Sequence, residues 1–279
     1  MNAATPSSIA PIGVFDSGYG GLTILSGIRR LMPQFDYVYL GDNARAPYGT
    51  RSFDLVYEFT LQGVKTLFDH GCPLVILGCN TASAKALRTI QQQYIAHTCP
   101  DRRVLGVIRP TTEVVGSLSS TRHIGILATE GTIRSQSYKI EIERLHPGAV
   151  VTEVACPMWV PLIENNEHNH PGADYFVQKY IDQLLRLDPQ IDTIILGCTH
   201  YPLLMDKIRQ HTPLGITLVP QGRYVAESLH DYLHRHPAMR HRLTTGATCR
   251  YLTTESATRF EEVATQFLGE PVSAHRIIL

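Results

Sequence analysis

Short apolar runs alternate with longer amphipathic stretches along most of this chain, and that alternation constrains the fold more than any other feature. Eight runs read as strands: "IGVF" (12–15), "YVYL" (37–40), "LVIL" (74–77), "VLGVI" (104–108), "HIGIL" (123–127), "VVTEVA" (150–155), "TIIL" (193–196) and "ITLVP" (216–220). Between them, "LTILSGIRRLM", "SFDLVYEFTLQGVKTLFDHG", "SAKALRTIQQQYI", "YFVQKYIDQLLRL" and "YPLLMDKIRQH" place apolar residues at the i, i+3, i+4 spacing of one-faced helices. Strand, helix, strand in repetition specifies an α/β fold with a mainly parallel sheet. At 279 residues the chain suffices for one large domain or two smaller ones.

The runs also repeat. "IGVFDSGYGG" (12–21) resembles "IGILATEGTI" (124–133), with Gly13 and Gly125 offset by 125 − 13 = 112. "VILGCNTASA" and "IILGCTHYPL" both stop an apolar run at Gly-Cys and continue with a threonine nearby, at an offset of 198 − 79 = 119. Between the members of each pair lies a strand ending in a Pro-containing loop, "LGDNARAPYG" first and "EVACPMWVPLIE" second. Three landmarks in one order are the pattern of a duplicated α/β unit, two half-sites that could face each other across a cleft. The landmark polar residues fall where strands end and helices begin, the edge at which open parallel sheets bind ligands.

Composition narrows the partners. Lys plus Arg (25) balances Asp plus Glu (25), so no net field draws the protein to nucleic acid or to a membrane surface. No segment is long and apolar enough to span a bilayer. The N-terminus, "MNAATPSSIAPIG", lacks the basic and apolar regions of a secretion signal, and its first ten residues read as a loose tail. Six cysteines without a C-x-x-C pair argue against a zinc ribbon, and a chain of this kind is expected in the reducing cytoplasm.

A cysteine at a helix N-terminus feels the positive end of the helix dipole and nearby N–H groups, so Cys79 and Cys198 are expected to have lowered pKa values. The same donors and the threonine hydroxyls suit a carboxylate. Two thiols on opposite sides of one molecule could remove an α-proton from one face and return one to the other, inverting a stereocentre without a cofactor. The plainer alternatives stand beside this. A cysteine ending an apolar strand is most often inert core. His200 alone could be a capping residue, and Cys198 with His200 would need further ligands to hold zinc. Asp16 could be only an N-cap. The glycines of "DSGYGG" lack the G-x-G-x-x-G spacing of a nucleotide loop, and "ENNEHNHPG" (164–172) reads as a solvated loop rather than a metal site.

On "GVFDSGYGGL", "GDNARAPYGT", "LGCNTASA", "ATEGTI", "ACPMWVPLIE" and "LGCTHYPLL", the chain resembles the glutamate racemases, cofactor-independent enzymes that supply D-glutamate for the bacterial cell wall. The resemblance implies two pseudo-symmetric α/β domains with the active site in the cleft between them, the first formed by residues 1–106 with 216–279 and the second by 107–215. It implies Cys79 and Cys198 as the catalytic thiols, with Asp16 beside the first and His200 and Glu164 near the second. Asn80, Thr81 and Thr199 would hold the main carboxylate of an acidic amino acid. Asp16, Ser17, His200 and the loop Pro47, Tyr48, Gly49 would complete its site. No metal and no cofactor are implied, nor any nucleic acid or membrane, and self-association as a homodimer is.

Three stretches depart from the family pattern: Asn43 where a threonine is usual, Arg109 where an acidic residue is common, and "VPQGRYVA" (219–226) in place of a Val-Asp-Ser stretch. They keep aspartate open as the substrate, since one methylene discriminates by only ~1–3 kcal/mol. Other classes are a cysteine-dependent dicarboxylate isomerase or decarboxylase, and a binding protein that kept the fold; two matched thiols count against both. A pyridoxal-phosphate enzyme would need a lysine that neither strand-end motif contains.

Overall fold

The computed structural model describes residues 10–279, so the expected N-terminal tail lies, Ala10 apart, outside the described residues. Ten strands form two sheets. The six-stranded sheet runs β10-β9-β2-β1-β3-β4 and the four-stranded sheet β6-β5-β7-β8. The strands are β1 (Ile12–Asp16), β2 (Tyr37–Gly41), β3 (Leu74–Leu77), β4 (Arg103–Gly106), β5 (His123–Ala128), β6 (Val150–Ala155), β7 (Thr193–Gly197), β8 (Thr217–Val219), β9 (Cys249–Thr253) and β10 (Ala274–Arg276). Every pairing is parallel.

The repeat has a structural counterpart. The inner order β2-β1-β3-β4 of one sheet is matched by β6-β5-β7-β8 of the other. In each, the strand order reverses between the first and third strands, and the loops leaving that switch point carry the Gly-Cys motifs and their partners.

Burial on both faces explains the uninterrupted apolar strands. Along β1, Ile12 and Val14 enter one core cluster, shared with Leu22, Leu25 and Leu229, while Phe15 enters the opposite one with Val64 and Leu67. Along β5, Ile124 and Ile126 likewise oppose Leu127.

Three boundaries differ from expectation. β4 ends at Gly106 and a helix starts at Ile108, with Pro110 in its first turn, where a missing N–H costs nothing. The strand expected over 216–220 is shorter, Thr217–Val219, and pairs with β7. Strands β9 and β10, unforeseen in the sequence, extend the larger sheet beyond β2. No described helix is long and apolar enough to cross a membrane.

Candidate active site

The end of β3 sets the first half of the site. Gly78 bonds back to the Phe15 carbonyl (2.7 Å), which holds the β1 and β3 termini together. Cys79 is extended (φ −102°, ψ 126°) and itself caps the helix Asn80–Lys85, its sulfur accepting from the Ala82 N–H at 3.4 Å. The Ser17 hydroxyl lies 3.3 Å from the same sulfur. Asp16, buried at the end of β1, accepts from Gly18 N at 2.9 Å.

The second half is built on β7 and on the helix Trp159–Glu164 after β6. Cys198 follows β7, and His200 turns Nδ1 to within 3.8 Å of its sulfur. Nε2 of the same ring meets Glu164 Oε1 at 3.0 Å. Trp159 packs edge-on against Tyr201 with centroids 4.6 Å apart, which anchors the Glu164 helix to the Cys198 loop.

The halves touch at several points. Thr23 Oγ1 donates to the Thr199 carbonyl at 2.9 Å, and the Thr81 and Thr129 hydroxyls are 3.0 Å apart. All of Asp16, Ser17, Pro47, Tyr48, Gly49, Cys79, Asn80, Thr81, Glu164, Cys198, Thr199 and His200 line one cleft of about 140 Å³. That volume suits a single small molecule. Each thiol is only 6% exposed, so the cleft is largely shielded from water.

The two sulfurs sit in different electrostatic settings. Burial, then the neighbouring Asp16 carboxylate, pushes the Cys79 thiol up to about 12, against the opposing bonds from Ser17 and Ala82. The expected lowering therefore does not hold for Cys79: one thiol-to-amide contact at the helix start is outweighed by the loss of water. Burial also raises Asp16 toward its neutral form. For His200, burial opposes charge, yet the Cys198 sulfur and Glu164 raise its pKa well above the usual value. The Cys198 sulfur is thus paired with an imidazole held toward its protonated form, whereas Cys79 is held toward its protonated thiol.

The loop residues are held from behind. Tyr48 is 1% exposed and its hydroxyl bonds to Asp42, which also accepts from Arg45 Nε (2.7 Å) and Thr254 Oγ1 (2.9 Å). The Asn80 side-chain amide is held in place, by Tyr138 at Oδ1 and by Gln221 at Nδ2. Of the departures, Asn43 accepts from Thr253 behind the loop, at 2.9 Å. Arg109 pairs with exposed Glu113 at 2.8 Å; neither Asn43 nor Arg109 lines the cleft.

Several lining residues were not foreseen: Ala46, Thr50, Thr129, Glu130, Cys156, Pro157, Val160 and Pro161. The repeat carried a signal for one of them. An offset of 112 from Ser17 leads to Thr129, since 17 + 112 = 129, and Thr129 follows β5 as Ser17 follows β1.

Paired parallel sheets with matched strand-end cysteines facing a shielded cleft define a racemase of the Asp/Glu/hydantoin type, and the chain belongs to that family, whose model matches residues 23–229. Within it, the similarity is to glutamate racemases. The enzyme of Paracoccus denitrificans (strain Pd 1222) is 41% identical over 271 residues, covering 94% of this chain and 97% of that one. The crystal structure of a glutamate racemase isoform from Bacillus anthracis superposes with a TM-score of 0.88 at 32% identity, over 98% of each chain. That of the Francisella tularensis enzyme in complex with D-glutamate gives 0.85 at 31%, again over 98% of each.

Proposed function

We propose that this racemase interconverts L- and D-glutamate by passing the α-proton between two thiols, with the carbon held between Cys79 and Cys198. The observation that carries the reading is the asymmetric pairing of the two sulfurs in one cleft. The Cys198 thiolate, stabilised by His200 and Glu164, takes the proton from one face of the α-carbon. The electron pair delocalises into the α-carboxylate, and the Cys79 thiol delivers a proton to the opposite face. The product leaves Cys198 protonated and Cys79 ionised, the state that accepts the opposite enantiomer and runs the reaction backward.

Among the described residues no Lys or Arg lines the cleft, so a dianionic substrate is held largely by neutral donors: the hydroxyls of Ser17, Thr81 and Thr199, the Asn80 amide and nearby backbone N–H groups. Such donors leave the α-carboxylate able to take up charge in the transition state. The raised pKa of Asp16 and the pairing of Glu164 with His200 lessen the negative charge that substrate meets.

Glutamate itself comes from the named relatives. On the same footing, we assign the product to cell-wall synthesis in the cytoplasm and the assembly to a homodimer. The division into two domains, with the second thread returning after Val219, follows the two sheets.

The test incubates the purified protein in D2O with L-glutamate and, separately, L-aspartate, without added cofactor. Loss of the α-proton by NMR with decay of the circular dichroism signal is expected for glutamate. Faster decay for aspartate would reassign the substrate, and silence on both from folded protein would overturn the reading.

A further inference from the structure

Gln221 opens the helix Gln221–Arg235 in one of the stretches that depart from the family pattern, and it does not line the cleft. It is nevertheless 2% exposed and fully engaged. Its Nε2 donates to the Val107 carbonyl (3.0 Å), to Tyr138 OH (2.7 Å) and, at longer range, to Thr111 Oγ1 (3.4 Å). Its Oε1 accepts from Asn80 Nδ2 at 2.5 Å, and Tyr138 OH closes a three-membered ring by donating to Asn80 Oδ1 at 2.7 Å.

The direction of this ring is dictated by one atom. A backbone carbonyl only accepts, so Val107 requires the nitrogen end of Gln221. With Nε2 on that side, Oε1 faces Asn80, which must present Nδ2; Oδ1 is then left for Tyr138. Reversing any member would set two acceptors against each other. The Asn80 amide therefore has one orientation; one N–H is used by Gln221, and the second makes no hydrogen bond among the described residues, on a side chain that lines the cleft.

The ring also joins distant parts of the chain. Val107 lies between β4 and the helix leading to the four-stranded sheet, and Gln221 lies where the chain returns; Asn80 and Tyr138 come from opposite halves. We propose that Gln221 is a positioning residue for the substrate carboxylate: it fixes the Asn80 amide as a donor and ties that orientation to the apposition of the two halves. The proposal rests on the acidic amino-acid substrate of the preceding section.

The test compares wild type with Gln221→Met, which keeps length and loses every polar atom, and with Tyr138→Phe, which removes a single hydroxyl. A donor lost to a charged group corresponds to about tenfold in affinity. Gln221→Met is expected to raise KM for glutamate by about that factor, with Tyr138→Phe raising it less, while kcat stays within about threefold. The double variant should show no further KM rise, because both act through the same amide.

Thermal unfolding run in parallel separates positioning from scaffolding. A loss confined to kcat and to the folded fraction, with KM unchanged in both variants, would overturn the proposal while the racemase reading stands. Wild type inactive on acidic amino acids would overturn that reading, and the positioning role with it.

Discussion

Glu164 meets the outer nitrogen of the His200 ring at 3.0 Å, so the carboxylate acts on the Cys198 sulfur only through the imidazole between them. Glu164→Gln keeps the shape and removes the charge that helps hold His200 protonated. The His200 pKa is raised, so the imidazolium exists below that pKa and is lost as pH rises through it. Without Glu164 the alkaline limb of the kcat/KM profile should move to lower pH, by about one unit for a lost neighbouring charge. A profile that keeps its alkaline limb would show that Glu164 does not set the state of His200.

Replacing either thiol by a hydroxyl removes a group that can ionise in the working range. Cys79→Ser and Cys198→Ser should each lower racemisation by about 10²–10⁴-fold, the usual weight of a positioned acid or base. Each variant retains one thiol, so α-proton exchange into D2O should survive for a single enantiomer, and the two variants should prefer opposite ones. Normal racemisation by either variant would eliminate the two-thiol route.

Gly20, in the first half, packs directly against the Thr199–His200 segment of the second. A Cβ there would stand 2.4 Å from His200 Nδ1 and 2.5 Å from Thr199 Oγ1, distances that force a shift. Gly20→Ala should therefore displace the Cys198–His200 loop and lower kcat/KM by at least about tenfold, since misplacement by an ångström carries penalties up to about a hundredfold. The clash lies at the junction of the halves, so the thermal midpoint should fall only modestly. Unchanged kcat/KM would mean that the loop yields without consequence for the chemistry.

The sequence made the strand-end landmarks legible because each is local: an apolar run, a glycine, then polar residues. That is why the twelve residues singled out all fall on one cleft wall or another. What escaped was either weakly patterned or long-range. β9, "CRYLT", alternates poorly, and β10 has three residues, too few for any periodicity to register. The helix Ile108–Leu118 overlaps the expected strand at Ile108 because "VLGVI" is continuously apolar, a pattern that does not separate a buried strand from a helix start. The Asn80–Tyr138–Gln221 ring joins positions 58, 83 and 141 residues apart, and no window on the sequence spans it. The Cys79 pKa departs from the sequence expectation for a related reason: a helix start is visible in sequence, whereas the burial that outweighs it is a property of the closed fold.

Asp36 supplies a test of how β2 and β9 are joined. Its carboxylate accepts from Gly246 N and Thr248 N at 3.0 Å each and from Thr248 Oγ1 at 2.6 Å, fixing the turn that leads into β9. Burial raises its pKa, but the bonds from this turn win and hold it down at about 2. A depressed carboxylate stabilises the fold fully above its unfolded pKa of about 3.9, and that contribution is lost as pH falls toward the folded value. Asp36→Asn keeps the shape but turns one acceptor into a donor facing N–H groups, which should cost about 1–3 kcal/mol at neutral pH. The gap between wild type and variant in urea denaturation should be constant from pH 5 to 7 and shrink as pH falls from about 4 toward 2. A gap independent of pH across that window would mean that the charge on Asp36 is not what holds the turn.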